Sequence, residues 1–205
     1  TEIYTLSLHD ALPIFAFFAT VLSVVIGTLF VVASVWRKSD YISWIFYGNI
    51  LLPEIVMAIG ILSIFTFFQI PLGYLSLITG HTIIGLGFVI PVVKARFVEL
   101  DPILTEASLD LGATYGQTFR KVLFPLLMPS IVASSLLVFT LSLDDFMIAF
   151  FCSGPKIQTL SVYVYSMIKG GVDPTINAIS AIFLALSSLL ILILSYLKVL
   201  DLVVS

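Results

Sequence analysis

The feature that most limits how this chain can fold is the recurrence of apolar runs about twenty residues long. A bilayer's hydrocarbon core is about 30 Å thick, and roughly 20 apolar residues in a helix cross it. Inside lipid the backbone must satisfy its own hydrogen bonds, which a helix does within one segment. A soluble core has no use for several such runs. Charged residues make up 10% of the 205 residues, against about 25% in an ordinary soluble domain. The pattern predicts an all-α, polytopic membrane helical bundle. Cys152 is the only cysteine, so neither a disulfide framework nor a cysteine metal site is available. A net charge of −3 gives no reason to expect a nucleic-acid partner.

Five spans are expected, at about 15–36, 44–68, 72–93, 126–151 and 176–197. The first stops at Arg37, Lys38, Ser39 and Asp40. The second contains Asn49, Pro53 and Glu54, and the third carries Gly73, Gly80, Gly85 and Gly87. The fourth carries Asp144 and Asp145 near its end. Arg37, Lys38, Lys94, Arg96, Arg120, Lys121 and Lys198 fall on one side of this arrangement, and Lys156 and Lys169 on the other. Positive residues accumulate on the cytoplasmic side, so the segment between spans three and four faces inward. The loop after Cys152 then faces outward. Leu160, Val164 and Ile168 recur there at helical spacing, which predicts a short interfacial helix ending at Gly170 and Gly171.

Residues 1–14, TEIYTLSLHDALPI, read as the in-frame translation of a common short-read sequencing adapter. They are set aside as extraneous. The expected transmembrane domain is 15–198, followed by a cytoplasmic tail at 199–205. Five spans would leave the two ends on opposite sides. One further span before Phe15, giving six, is the simpler arrangement, and the authentic N-terminus is expected to be missing.

The longest stretch without a membrane-grade apolar run is the loop 99–125, which holds TEASLDLGATYGQTFRKVLFP. Asp101 can cap a helix and Pro102 suits its first position. Gly112 would end that helix, and a second short helix would run on until Pro125 closes it. A compact helix–turn–helix against the inner membrane face is one reading; a solvated connector is the other.

These residues resemble a family. Permeases of type I ATP-binding-cassette (ABC) importers carry a cytoplasmic signature: Glu-Ala-Ala, three residues, Gly, nine residues, then Ile-x-Leu-Pro. Here Glu106, Ala107 and Ser108 are followed at that spacing by Gly112 and by Val122, Leu123, Phe124 and Pro125. Ser108, Val122 and Phe124 depart from the signature by small or apolar exchanges. LLPEIVMAIGIL, LSLDDFMIAFFCSGP and YSMIKGGVDPTINAISAI are similar to the branch serving spermidine/putrescine import.

The resemblance implies a MetI-like permease fold in a bacterial inner (plasma) membrane, with its first span absent. It implies three kinds of protein partner: a cytoplasmic ABC ATPase dimer, a second permease subunit and an extracellular or periplasmic solute-binding protein. Glu106, Ala107, Ser108, Gly112, Val122 and Pro125 would form the ATPase-coupling elbow, Glu106 by polar contact and Gly112 by permitting a tight turn. The chain has no G-x-x-x-x-G-K-[ST] loop of its own. It is therefore expected to be a non-catalytic subunit that needs no cofactor and holds no metal.

Ionisable groups at membrane depth cost about 2.5–3.5 kcal/mol on insertion scales and so are functional candidates. Glu54 follows Pro53, which frees a carbonyl. It either faces a cation path or a subunit seam, or it is satisfied by backbone or by Asn49. Asp144 and Asp145 stand about 100° apart on a helix, so at most one can point squarely into a cavity. They either face a water-filled vestibule, where they would attract a polyamine, or they pair with Lys156 or Lys169 or cap the outer helix end. Tyr163, Tyr165, Trp36 and Trp44 fit an interfacial aromatic belt. Gly80, Gly85 and Gly87 fit close helix packing, and His81 fits a polar position near the outer interface. A ferric ion or an anion is the alternative cargo, and a proton-coupled secondary carrier the alternative machine. Such a carrier would have no use for the signature's complete spacing.

Overall fold

The computed structural model describes residues 2–37, 46, 48–155, 157, 159–170 and, beyond these, 178, 181, 182, 184–186, 188, 189 and 192. Among the described residues the chain is helical, without strands. The order is α1 (Glu2–Trp36), α2 (Glu54–Phe67), α3 (Tyr74–Glu99), α4 (Pro102–Asp110), α5 (Tyr115–Thr118), a π-helical turn (Phe119–Leu123), α6 (Phe124–Asp144), α7 (Met147–Cys152) and α8 (Leu160–Gly170). Among the described residues three stretches are apolar and long enough to cross a bilayer: Ile14–Trp36, Tyr74–Glu99 and Tyr115–Asp144. They answer to the first, third and fourth expected spans. α1 continues past Phe15 to Glu2, so the segment set aside as extraneous is helical and continuous with the first span.

The second expected span is not a single helix. Residues 48–51 are helical, the helix stops at Leu52, and α2 begins only after Pro53. Proline lacks an N–H and disfavours the helical conformation in the residue before it. α2 has 14 residues, about 21 Å at 1.5 Å per residue, short of a hydrocarbon core about 30 Å thick. The fifth expected span falls mostly outside the described residues, as do Lys38, Trp44, Lys156, Lys198 and the tail.

α1, α3 and α6 form the centre of the bundle. The Phe15 ring lies 5.1 Å from that of His81, the Ser23 hydroxyl donates to the Thr82 carbonyl at 3.2 Å, and Gly27 meets Val89. Contacts that advance together along both helices make α1 and α3 parallel. α6 runs the opposite way: Val138 meets Gly85, while Leu123 and Leu127 share a buried cluster with Val93 and Phe97. Arg37, Lys94, Arg96, Arg120 and Lys121 accordingly stand at one end of the bundle, the grouping that the charge asymmetry predicts.

Lipid is as apolar as leucine, so helices in a membrane associate by close packing rather than by escape from water. Gly85 shows this directly. A β-carbon there would collide with the Ser23 side chain on α1 and with Val138 on α6. Its missing side chain is what lets three helices meet.

The end opposite these basic residues is built from short pieces. α2 packs on α7 through Ala58, Ile61, Phe65, Ile148 and Cys152. The Ser76 hydroxyl on α3 donates to the Cys152 carbonyl at 2.7 Å. α8, close to the interfacial helix expected from Leu160, Val164 and Ile168, covers this end with Leu160 buried beside Phe15, Leu77 and Ala149. Tyr163 and Tyr165 are half-buried against the bundle, and Tyr165 stacks on Phe146 at 4.9 Å. Trp36, at the other end, packs on Tyr115 at 5.0 Å.

Candidate functional site

Two constellations emerge, an elbow at the basic end and a polar cleft inside the bundle. The elbow begins as local chemistry dictates. The Asp101 carboxylate accepts the Ile103 N–H at 2.9 Å, and Pro102 takes the first helical position of α4. α4 stops at Asp110, and Gly112 turns the chain at φ +85°, a left-handed conformation that side chains disfavour. Thr114 then opens α5 through a reciprocal capping box with Gln117.

The second elbow helix does not end at Pro125 as expected. α5 passes through the π-helical turn into α6 without a break. The reason lies in the hydrogen bonds. Pro125 has no N–H to donate and its ring crowds the carbonyl four residues back. The widened turn shifts the pairing, so that the Phe124 N–H reaches the Phe119 carbonyl five residues back. The helix swells around the proline instead of stopping.

Glu106 and Ala107 are exposed on α4. The Ser108 hydroxyl, standing where the signature has alanine, pairs with the hydroxyl of buried Thr118 at 2.9 Å. That bond ties α4 to the start of the second helix and gives the exchange a structural use. Val122 is half-buried in the π-turn, and Pro125 stands exposed in the first turn of α6. Leu111, which the signature does not single out, is 89% exposed at the tip of the elbow.

The cleft occupies about 220 Å³, and its lining includes Asn49, Glu54, His81, Phe88, Ser142 and Asp145. Two helix interruptions place its acids. Glu54 sits in the first turn of α2, where the helix N-terminus favours a negative charge. At the other interruption α6 ends at Asp144, and Asp145 adopts an extended conformation at φ −63° and ψ 127°. Its Oδ2 accepts the Ala149 N–H at 3.0 Å, which caps α7. The same oxygen lies 3.7 Å from His81 Nε2, with both side chains buried. Glu54 and Asp145 are close enough for their carboxyl groups to interact directly.

Asp145 therefore lines the cleft, whereas Asp144 is exposed and does not. Asn49 is engaged elsewhere: its amide donates to the Ile83 carbonyl on α3 at 3.0 Å, packed where Gly87 leaves room. His81 is buried between α1 and α6, only 4% exposed. His81, Gly85 and Phe88 follow a helical repeat on one face of α3, as do Val138 and Ser142 on α6, with Asp145 next in that spacing just past the helix end. Those two stripes are the sequence signals that could have found His81 and Ser142. Two carboxyl groups converging at membrane depth repel unless they share a proton or a cation lies between them, so the cleft is chemically suited to a positive guest.

Comparison with known proteins points the same way. The family described as "Binding-protein-dependent transport system inner membrane component" matches residues 11–201. The spermidine/putrescine transport system permease protein PotC of Escherichia coli (strain K12) is 37% identical over 180 residues, covering 86% of this chain and 68% of that protein. PotC of Haemophilus influenzae is 35% identical over 181 residues, covering 87% of this chain and 70% of that one. The putrescine transport system permease protein PotI of E. coli (strain K12) is 32% identical over 176 residues, covering 81% of this chain and 63% of its own. A solved structure described as an amino acid ABC transporter with histidines superposes with a TM-score of 0.68 at 19% identity, over 97% of this chain and 94% of that one. Signature, fold and relatives converge: the chain belongs to the family of inner-membrane components of binding-protein-dependent transport systems, the multi-pass permeases of type I ABC importers.

Proposed function

We propose that this chain is the permease subunit of a polyamine importer, and that its cleft holds an ammonium group of the cargo on the way through the membrane. The observation that carries this reading is the convergence of Glu54 and Asp145 on one cleft, each delivered by a helix interruption. The relatives named for spermidine and putrescine support the cargo class. So does the cleft's lining, which among the described residues contains no lysine or arginine to receive an anion. Among the described residues no three His, Cys, Asp or Glu side chains are grouped as metal ligands, which favours an organic cation over a ferric ion. Asp144, exposed beside the cleft, would attract the cation from the outer side.

The elbow is the coupling device in this reading. An ABC ATPase dimer would receive Glu106, Ala107 and the exposed Leu111 in a surface groove. Ser108, Gly112, Val122 and Pro125 would hold the elbow's shape. A second permease subunit would complete the pathway, and a solute-binding protein would deliver cargo to it. Hydrolysis takes place in the ATPase partner.

The test is ATP-driven uptake of radiolabelled spermidine by proteoliposomes holding the complete transporter. Replacing both Asp144 and Asp145 by asparagine should lower uptake by about tenfold or more, the scale of an unpaired buried charge, with all subunits still co-purifying. Unchanged uptake would remove these acids from the pathway. Saturable import of a non-cationic solute instead of polyamines would overturn the cargo assignment.

A further inference from the structure

The cleft contains a group that neither the signature nor the acid pattern uses. His81 presents Nε2 toward Asp145 Oδ2 at 3.7 Å, which is ion-pair distance but too long for a hydrogen bond. Two buried polar atoms at this spot lack hydrogen-bond partners, His81 Nε2 and Asp145 Oδ1. Asp145 Oδ2 is already engaged by the Ala149 N–H. A buried carboxylate with an unmet oxygen is costly in a low-dielectric setting. Its cost falls if a donor stands ready, and His81 is positioned on the facing helix to be that donor.

We infer that His81 is a positioning residue for the cargo site, a stand-in donor that holds Asp145 toward the cleft while the cleft is empty and yields it when an ammonium group arrives. The inference rests on the polyamine reading above and extends it to a residue on α3. A shift of about 1 Å would bring Nε2 into hydrogen-bond range of the carboxylate. Asp145 lies between α6 and α7, so the contact fixes that interruption against α3. Phe15 packs on the imidazole from α1 at 5.1 Å and limits how far the ring can swing. An incoming ammonium meets Asp145 and Glu54 together and is the stronger partner, because it brings a full charge and several donors. The contact thereby stabilises the empty site, and binding gives up its worth.

The experiment is a double-mutant cycle on the complete transporter with two readouts. His81→Phe, which keeps a planar ring but has no donor, should lower the KM for spermidine by about tenfold, because binding no longer has to break one charge-assisted hydrogen bond, with kcat little changed. His81→Gln, which retains a donor near Nε2, should bring KM back to within about threefold of wild type. In an Asp145→Asn background, His81→Phe should have no further effect on KM. The thermal midpoint of the cargo-free complex, measured for the same four proteins, should show the two substitutions to be non-additive. Additive effects on both readouts would overturn the inference, as would equal losses in kcat for the Phe and Gln variants. If the wild-type complex imports no polyamine, the cargo reading falls and the proposed role of His81 falls with it. The thermal cycle would then still decide whether the His81–Asp145 contact exists.

Discussion

Gly85 is the residue at which the bundle has least tolerance, because α1 and α6 both close on the space its side chain would fill. Gly85→Leu should lower the thermal midpoint and reduce recovery of the assembled complex. The expected loss is about 1–3 kcal/mol, typical of overpacking. Gly112→Ala is a contrasting case, since nothing lies within 4 Å of a β-carbon at that position. Only the left-handed backbone resists it, at about 1 kcal/mol, and the damage should appear in coupling rather than in assembly. Single residues were unevenly legible in the sequence. Glu54 and Asp145 announced themselves because an acid in an apolar run is conspicuous. His81 did not, because the stripe it shares with Gly85 and Phe88 gives its face of α3 but not the register of that face against Asp145. Ser108 looked like a neutral departure from a signature, and its bond to Thr118 exists only once the elbow has folded.

Among the elements, those governed by local chemistry were readable and those governed by long-range accommodation were not. Asp101, Pro102 and Gly112 start and turn the elbow as capping rules dictate. Pro53 interrupts the second span, and proline suggests as much in any helix. Pro125 has the same chemistry and the opposite outcome, because a π-turn can absorb a missing donor when the flanking helix is held by neighbours. Pro125→Ala restores that donor and allows the turn to relax into an ordinary helix. Removing the extra residue from the turn would rotate the elbow relative to α6 by about 100°. Spermidine uptake should fall severalfold while ATP hydrolysis continues, so the ratio of hydrolysis to uptake is the measurement. An unchanged ratio would show that the π-turn has no part in coupling.

At the scale of the whole molecule, the basic end carries the elbow and the opposite end is covered by α8, with the cleft between them. In the proposed reading, work done at the elbow would reach the cleft along α3 and α6, the described helices that adjoin the elbow and line the cleft. Glu106→Ala should abolish uptake while the subunit still inserts and co-purifies with its partners. Protease protection in sealed vesicles would check insertion, and normal uptake would disconnect the elbow from transport. The two helix interruptions have a consequence of their own. Leu52–Pro53 and Asp145–Phe146 flank the same cleft, and the short helices beyond them, α2 and α7, are packed on each other. The helical hydrogen-bond ladder is already open along that line, so a swing of α2 and α7 as one shutter would rupture neither ladder. Such a swing would cost the grip of α7 on α1, α3 and α8, including the bond from Ser76 to Cys152. The latch on such a shutter is a serine hydroxyl.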